Sequence, residues 1–292
     1  MRFGCIDIGS NTTRLLVAEI RGGELEPVEA RRHFTRIGAA VGIDGQIPEQ
    51  KIAEVAAIAG ELAERSRALG APDVTVVATA AVRAALNRDE LTAAVAERAG
   101  VPVRVVSGGD EAELSFHGAC HAVEHADGAL AVIDVGGGST EIAVGTADAG
   151  VSWSTSLAIG SGLLGRRHLT GDPPSAAQIE AAHAAAAAAL GGITPPPVRA
   201  AVAVGGTATS LHRLVGPALT RAALERGLAR VCERPAAQAA RELGLPEERI
   251  RLLPAGIVVL CAVADLVEVP LSVAGGGLRE GVLLQRAREA IA

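Results

Sequence analysis

Two short segments hold residue types that could handle a phosphate: Asp7-Ile8-Gly9-Ser10-Asn11-Thr12, and Asp134-Val135-Gly136-Gly137-Gly138-Ser139. In each, an aspartate ends an apolar run and enters a turn of glycine and small polar residues. Glycine lets the backbone approach an anion, successive N–H groups can converge on its oxygens, and the hydroxyls add donors. A carboxylate beside a phosphate repels it unless a cation intervenes, so the pattern calls for a hard divalent metal, Mg2+ or Mn2+, bound through oxygen and water. Asp134 is the first ligand expected and Asp7 the second.

The segments are copies. With Asp7 laid on Asp134, the two runs stay in step at an offset of 127 residues, and Arg14 falls on Glu141. Each copy reads as strand, turn, strand, the second strand being Leu15 to Ile20 or Ile142 to Val144. Glu141 leaves the second turn where a metal or an attacking water would lie, and is assigned to both. A third glycine turn, Gly205-Gly206-Thr207, follows the apolar run Val202-Ala203-Val204. One such turn would be an ordinary hairpin; two in step and a third nearby point to phosphate binding.

Glu111 follows Ser107-Gly108-Gly109-Asp110 and opens a helical segment. There it could orient a water as general base, since phosphoryl transfer needs mainly positioning and charge neutralisation. Acids also favour helix N-termini for purely structural reasons. Arg14 and Arg83 are the expected clamp on a polyanion, because a guanidinium grips phosphate oxygens as a fork; Arg36 is the third candidate. Arg279 serves equally well as a salt-bridge partner of Glu280. Arg166, Arg167 and Arg213 either extend the positive track or are ordinary surface residues, and His117, His121 and His125 are read as a helix face rather than a metal site.

The elements that must position these residues alternate between strand and helix. A helix begins at Pro48, buries Ile52, Val55, Ile58 and Leu62, and closes at Gly70. Val74 to Thr79 reads as a strand, Leu91 to Ala99 as a helix, Val103 to Ser107 as a strand and Asp110 to Val123 as a helix, giving βαβα with parallel strands. The second copy opens another such region, with an alanine-rich helix at Ala176 to Leu190 and a last helix at Leu278 to Ala290. Arg36 to Gly45 is expected as a loop.

At 292 residues the chain exceeds one ordinary core, so two domains are expected, 1–125 and 126–292, with the final helix packing on the first. With 1% aromatic residues and a net charge of −6, base stacking and general nucleic-acid or membrane-surface binding are disfavoured. Cys5, Cys120, Cys232 and Cys261 are too scattered for metal or redox pairs and are expected as reduced thiols. The start is too short for a signal peptide, and the apolar stretch Ile257 to Ala264 meets Asp265 before it could span a bilayer. A cytoplasmic location is expected.

Six motifs in order resemble the exopolyphosphatase/guanosine pentaphosphate phosphatase (Ppx/GppA) family. They are Asp7 to Thr12, Ala78-Thr79-Ala80-Ala81-Val82-Arg83, Ser107-Gly108-Gly109-Asp110-Glu111-Ala112, Asp134 to Glu141, Gly205-Gly206-Thr207-Ala208 and Gly277-Leu278-Arg279-Glu280-Gly281. The resemblance implies an α/β fold of two ribonuclease-H-like (actin-like ATPase) lobes with an interlobe cleft. It also implies Mg2+-dependent hydrolysis of a terminal phosphoanhydride of inorganic polyphosphate, or of the 5′-phosphate of guanosine pentaphosphate, and places the catalytic carboxylate at Glu111. Asp110 stands where the family has a first Glu, and Arg251 where it often has an acid. The chain resembles the short, two-domain members, for which short polyphosphates are the expected substrates; a homodimer is left open. A kinase of the same superfamily, and a silent sensor of polyphosphate or guanosine tetraphosphate, are the rival readings.

Overall fold

A computed structural model of the chain describes residues 1–123 and 128–291. They form two compact units, Met1–Gly118 with the chain from Gly277 onward, and Ala119–Gly276. The expected boundary at 125/126, like His125, lies outside the described residues.

The first unit opens with a three-stranded antiparallel meander, β1 (Arg2–Ile8), β2 (Thr13–Arg21) and β3 (Glu24–His33). Gly22 and Gly23, with φ of 60° and 91°, make the turn into β3, which the hairpin reading of the sequence had not included. The short helix α1 (Ile37–Ala40) stands where a loop was expected, followed by α2 (Glu49–Ala68), β4 (Asp73–Ala78), α3 (Ala80–Ala84), α4 (Arg88–Ala99), β5 (Val103–Val105) and α5 (Gly108–Ala122). The strands lie in the order β3-β2-β1-β4-β5, with β4 and β5 parallel to β1.

The alternation of side chains along a strand divides this sheet into two buried faces. Ile6, Ile8, Leu15 and Val17 join a core with Val55, Leu62 and Leu91 of α2 and α4. Phe3, Cys5, Leu16 and Ala18 join another with Leu114 of α5 and with Leu278, Val282 and Leu283 near the C-terminus. By the same alternation Asp7 and Arg14 stand on this second face.

The second unit repeats the plan. Its meander is β6 (Leu130–Val135), β7 (Thr140–Thr146) and β8 (Gly150–Leu157). Helices α6 (Ser161–His168) and α7 (Ala176–Leu190) lead to β9 (Ala200–Val204), α8 (Gly205–Val215) and β10 (Ala218–Leu219). The chain continues through α9 (Arg221–Cys232), α10 (Ala236–Leu243) and α11 (Glu247–Val267) to β11 (Leu271–Val273). Read from β8, the sheet runs β8-β7-β6-β9-β11-β10, so its first five strands match the first unit's order.

Helix α11 does not stop at Asp265 but runs on to Val267, and by length and composition alone it could cross a membrane. Some 67% of its apolar stretch is buried, and it packs against α6, α7 and α9 as the central helix of its unit. The last helix, α12 (Leu278–Ile291), belongs to the first unit and lies on α5. There Gly118 and Gly281 bring the helices so close that a methyl group on either would overlap backbone atoms of the other segment. The Gly-Leu-Arg-Glu-Gly motif is thus a packing device that holds the helix carrying Glu111.

Candidate functional site

The sequence repeat survives in the hydrogen bonds. Gly9 N–H donates to the Thr12 carbonyl at 2.9 Å, and Gly136 N–H to the Ser139 carbonyl at 3.0 Å. Asp7 is the cross-strand partner of Arg14, as Asp134 is of Glu141. The turn carbonyls are held from behind: Gly38 N–H donates to Ser10, Arg36 N–H to Asn11, Gly162 N–H to Gly137 and Ser161 N–H to Gly136, all at 2.8 to 3.0 Å. A carbonyl committed to a donor of the fold is turned away from an incoming anion, which favours the use of turn N–H groups as donors. Ser10 and Ser139 are both 5% exposed.

Asp7 is 9% exposed, and its Oδ1 is buried with no hydrogen-bond partner. Burial pushes its carboxyl above the usual range, against the pull of Arg14 and Arg279. Arg279 donates to the Leu15 carbonyl at 3.2 Å and lies 3.9 Å from Glu280, so it ties α12 to β2. Arg36 has a left-handed backbone, φ 51°, uncommon for a residue with a side chain.

Glu111 is 8% exposed on the first turns of α5. Its Oε2 accepts from Arg83 Nη1 at 2.9 Å, and the same nitrogen donates to the Val106 carbonyl at 2.8 Å. Arg83, expected as a clamp on substrate, is therefore brought to the carboxylate expected as the base. Asp110 lies beside Arg104 at 3.9 Å instead.

In the second unit Glu141 is 2% exposed, and its Oε1 accepts a 2.7 Å hydrogen bond from Ser156 Oγ, its partner on β8. Gly205, Gly206 and Thr207 are not a free turn but the first residues of α8, where Gly205 has φ 79°. A side chain at Gly205 would meet the Asp134 carboxylate, with a Cβ only 2.5 Å from its Oδ1. The glycine makes room for that carboxylate and supplies the backbone angle. Thr207 Oγ1 lies 3.4 Å from the Val135 carbonyl.

Two residues of this region were missed from the sequence. Ser156 becomes relevant only once the β7–β8 register is known. Arg249 of α11, 7% exposed, lies flat against Gly206, where a Cβ would sit 2.7 Å from its Nη2. Nothing in the local pattern of a polar helix start marks that arginine as buried. Arg166, Arg167 and Arg213 lie on α6 and α8.

Among the described residues no three His, Cys, Asp or Glu side chains gather to hold a metal ion. The arrangement does fit a cation that takes most of its ligands from phosphate and water, as Mg2+ does. In the first unit the group able to hold one is Asp7, whose buried Oδ1 has no hydrogen-bond partner; in the second, taken by itself, it is the Asp134 carboxylate over Gly205, with Glu141 opposite. The cysteines are free thiols, and burial pushes Cys120, Cys232 and Cys261 up to about 11.

Two ribonuclease-H-like units, each with an Asp-x-Gly turn after its first strand, define a protein of the actin-like ATPase fold. The chain belongs to the Ppx/GppA phosphatase family, whose model matches residues 16–290. It is 29% identical to exopolyphosphatase 1 of Mycobacterium leprae over 98% of this chain and 89% of that protein. It is 35% identical to exopolyphosphatase 2 of Mycobacterium tuberculosis over 62% of this chain, and the match spans 59% of that relative's length. The crystal structure of an Aquifex aeolicus member of the Ppx/GppA family is similar over 100% of this chain and 99% of that one, with 27% identity and a TM-score of 0.84.

Proposed function

We propose that the protein hydrolyses the terminal phosphoanhydride of inorganic polyphosphate and releases orthophosphate. The observation that carries this reading is the buried Glu111, held by Arg83 on a helix start whose family motif is intact apart from Asp110. Glu111 orients a water and accepts its proton as oxygen attacks phosphorus, while the bond to the bridging oxygen breaks and the shortened chain leaves with that oxygen. In each unit taken by itself the Asp-x-Gly turn, Gly9 to Thr12 or Gly136 to Ser139, offers N–H groups to non-bridging phosphate oxygens. Arg14 neutralises charge on the chain, as the loose transition state of phosphoryl transfer requires.

A divalent cation, Mg2+ or Mn2+, would be held by Asp134 with Glu141 in the second unit, or by Asp7 in the first, and would supply further charge neutralisation. Ser156 fixes the Glu141 carboxylate, and Arg249 supports Gly206. Guanosine pentaphosphate offers the same terminal group and is the second substrate to test. The experiment is orthophosphate release with Mg2+ from short and long polyphosphate, guanosine pentaphosphate and ATP, by wild type and Glu111→Ala. Release from polyphosphate that collapses in the variant supports the reading. Equal rates remove Glu111 from the mechanism, and tight binding without release favours a sensor.

A further inference from the structure

The strand registers place three side chains of the first unit in one row: Asp7 on β1, Arg14 opposite it on β2, and Arg32 opposite Arg14 on β3. Cross-strand partners share a face of the sheet. The matching row of the second unit is Asp134, Glu141 and Ser156. There the third residue closes on the second, Ser156 Oγ donating to Glu141. In the first unit the second and third residues are both cations, and Asp7 beside Arg14 is the carboxylate of the row, one strand removed from Arg32.

Arg32 is not used in a structural ion pair. Among the described residues no carboxylate lies within ion-pairing distance of it, whereas Arg31 beside it, on the other face of β3, is paired with Glu29 at 2.6 Å. Its guanidinium instead lies 5.2 Å from the centre of the Phe34 ring. Such stacking fixes the plane of the group and leaves its N–H edge free for an oxyanion. Because Thr13 pairs with His33, Phe34 follows alongside Thr12, the end of the first turn. The stack therefore flanks the turn assigned to the terminal phosphate, but two strand spacings, about 10 Å, from the backbone of Asp7.

We propose that Arg32, opposite Arg14 and stacked on Phe34, binds phosphate groups of the substrate beyond the one released. The inference rests on the polyphosphatase reading and deepens it: Arg32 reads the length of the phosphate chain. Any anion with further phosphates at that distance qualifies, whether the inorganic polymer or a nucleotide carrying several phosphates.

The test compares Arg32→Gln with Arg31→Gln, which removes the same charge from the other face of the strand, in the full chain. Orthophosphate release is followed from pyrophosphate, tripolyphosphate, longer polyphosphate and guanosine pentaphosphate, and tripolyphosphate and longer-chain binding are measured by calorimetry. Arg32→Gln should raise KM for longer polyphosphate about tenfold, as expected for one lost charge-assisted phosphate contact, with kcat nearly unchanged. Pyrophosphate should change by less than about twofold, and Arg31→Gln should leave every KM within that range. A parallel rise for guanosine pentaphosphate supports a site that reads phosphate from either source; a rise for the polymer alone supports the polymer. An equal effect of both variants, or an Arg32→Gln KM that does not depend on chain length, overturns the proposal. Were wild type to release no phosphate, the polyphosphatase reading would fall, yet unchanged longer-chain binding by Arg32→Gln would still be needed to overturn the subsite.

Discussion

Arg83 Nη1 lies 2.9 Å from Glu111 Oε2 and at the same time donates to the Val106 carbonyl. One guanidinium nitrogen thus anchors the carboxylate to the end of the segment that follows β5. A charge-assisted bond backed by a main-chain anchor fixes the direction of a side chain as well as its charge. Arg83 is thereby a positioning residue for Glu111, and the consequence appears in rate more than in binding. Arg83→Ala should lower kcat by about 10- to 100-fold, the scale of a misplaced catalytic group, with a smaller change in KM. Arg83→Lys keeps the charge but not the fork and should restore only part of the rate. A dominant rise in KM would return Arg83 to the role of substrate clamp.

Glu111 itself should be harder to replace. Glu111→Gln keeps the shape and removes the proton acceptor, so kcat should fall by about 10²- to 10⁴-fold while polyphosphate binding persists. Calorimetry on the variant separates the two effects, since lost binding would mean that Glu111 organises the site rather than acting on water.

The two turns could be read before the fold was known, because their information is local. The Asp-x-Gly turns are defined within a few residues, and Gly9 to Thr12 and Gly136 to Ser139 close with the same bond. The helices with clear stop signals, such as α2 ending before Gly70 and the alanine-rich α7, also fall where expected. What stayed hidden depends on partners distant in sequence. β3 is a mostly exposed, charged edge strand, so it lacks the apolar alternation that marks a half-buried strand. Arg83 meets Glu111 across 28 residues, and Arg249 reaches Gly206 from another helix. Gly205 read as a turn because a glycine at positive φ looks the same in sequence whether it ends a loop or starts a helix.

Asp7 should show its strain in stability. Burial raises its folded-state pKa above the ordinary 3.8, so its favourable contribution is present below that pH and is lost as pH rises through the raised value. Asp7→Asn mimics the protonated form and does not titrate. With a chelator present, the variant should melt at a higher temperature than wild type at neutral pH, by about 2–4 °C per kcal/mol relieved, and the gap should close towards pH 3.8. Activity should fall as stability rises, the usual exchange at a functional site. A variant less stable than wild type at neutral pH would mean that the carboxylate is held by more than Arg14 and Arg279.

Ser156→Ala removes the 2.7 Å hydrogen bond that the buried Glu141 carboxylate accepts from β8. The loss of a hydrogen bond to a charged group costs about 1.5–3 kcal/mol, measurable by denaturant unfolding. Phosphate release should drop with it, and Ser156→Thr, which keeps the hydroxyl, should recover both. Recovery of stability without activity would confine Ser156 to a structural role.

Gly160 separates steric from conformational demands on glycine at the second turn. Its φ of −151° is open to any residue, so alanine carries no backbone strain there. A Cβ, however, would stand 2.7 Å from the Gly137 carbonyl carbon and 2.8 Å from the nitrogens of Gly138 and Ser139. Those atoms are backbone and cannot rotate away as a side chain would. The turn must therefore move, at a cost of about 1–3 kcal/mol for an overpacked site. The N–H groups that α6 holds in place from behind would be re-aimed, so Gly160→Ala should fold, as judged by a cooperative unfolding transition, yet bind polyphosphate at least about tenfold more weakly. Gly165→Ala is the control on the same helix, since its Cβ meets only the Ala255 methyl at an ordinary 3.7 Å. If both variants bind like wild type, the Gly136 to Ser139 turn tolerates displacement and does not set phosphate affinity.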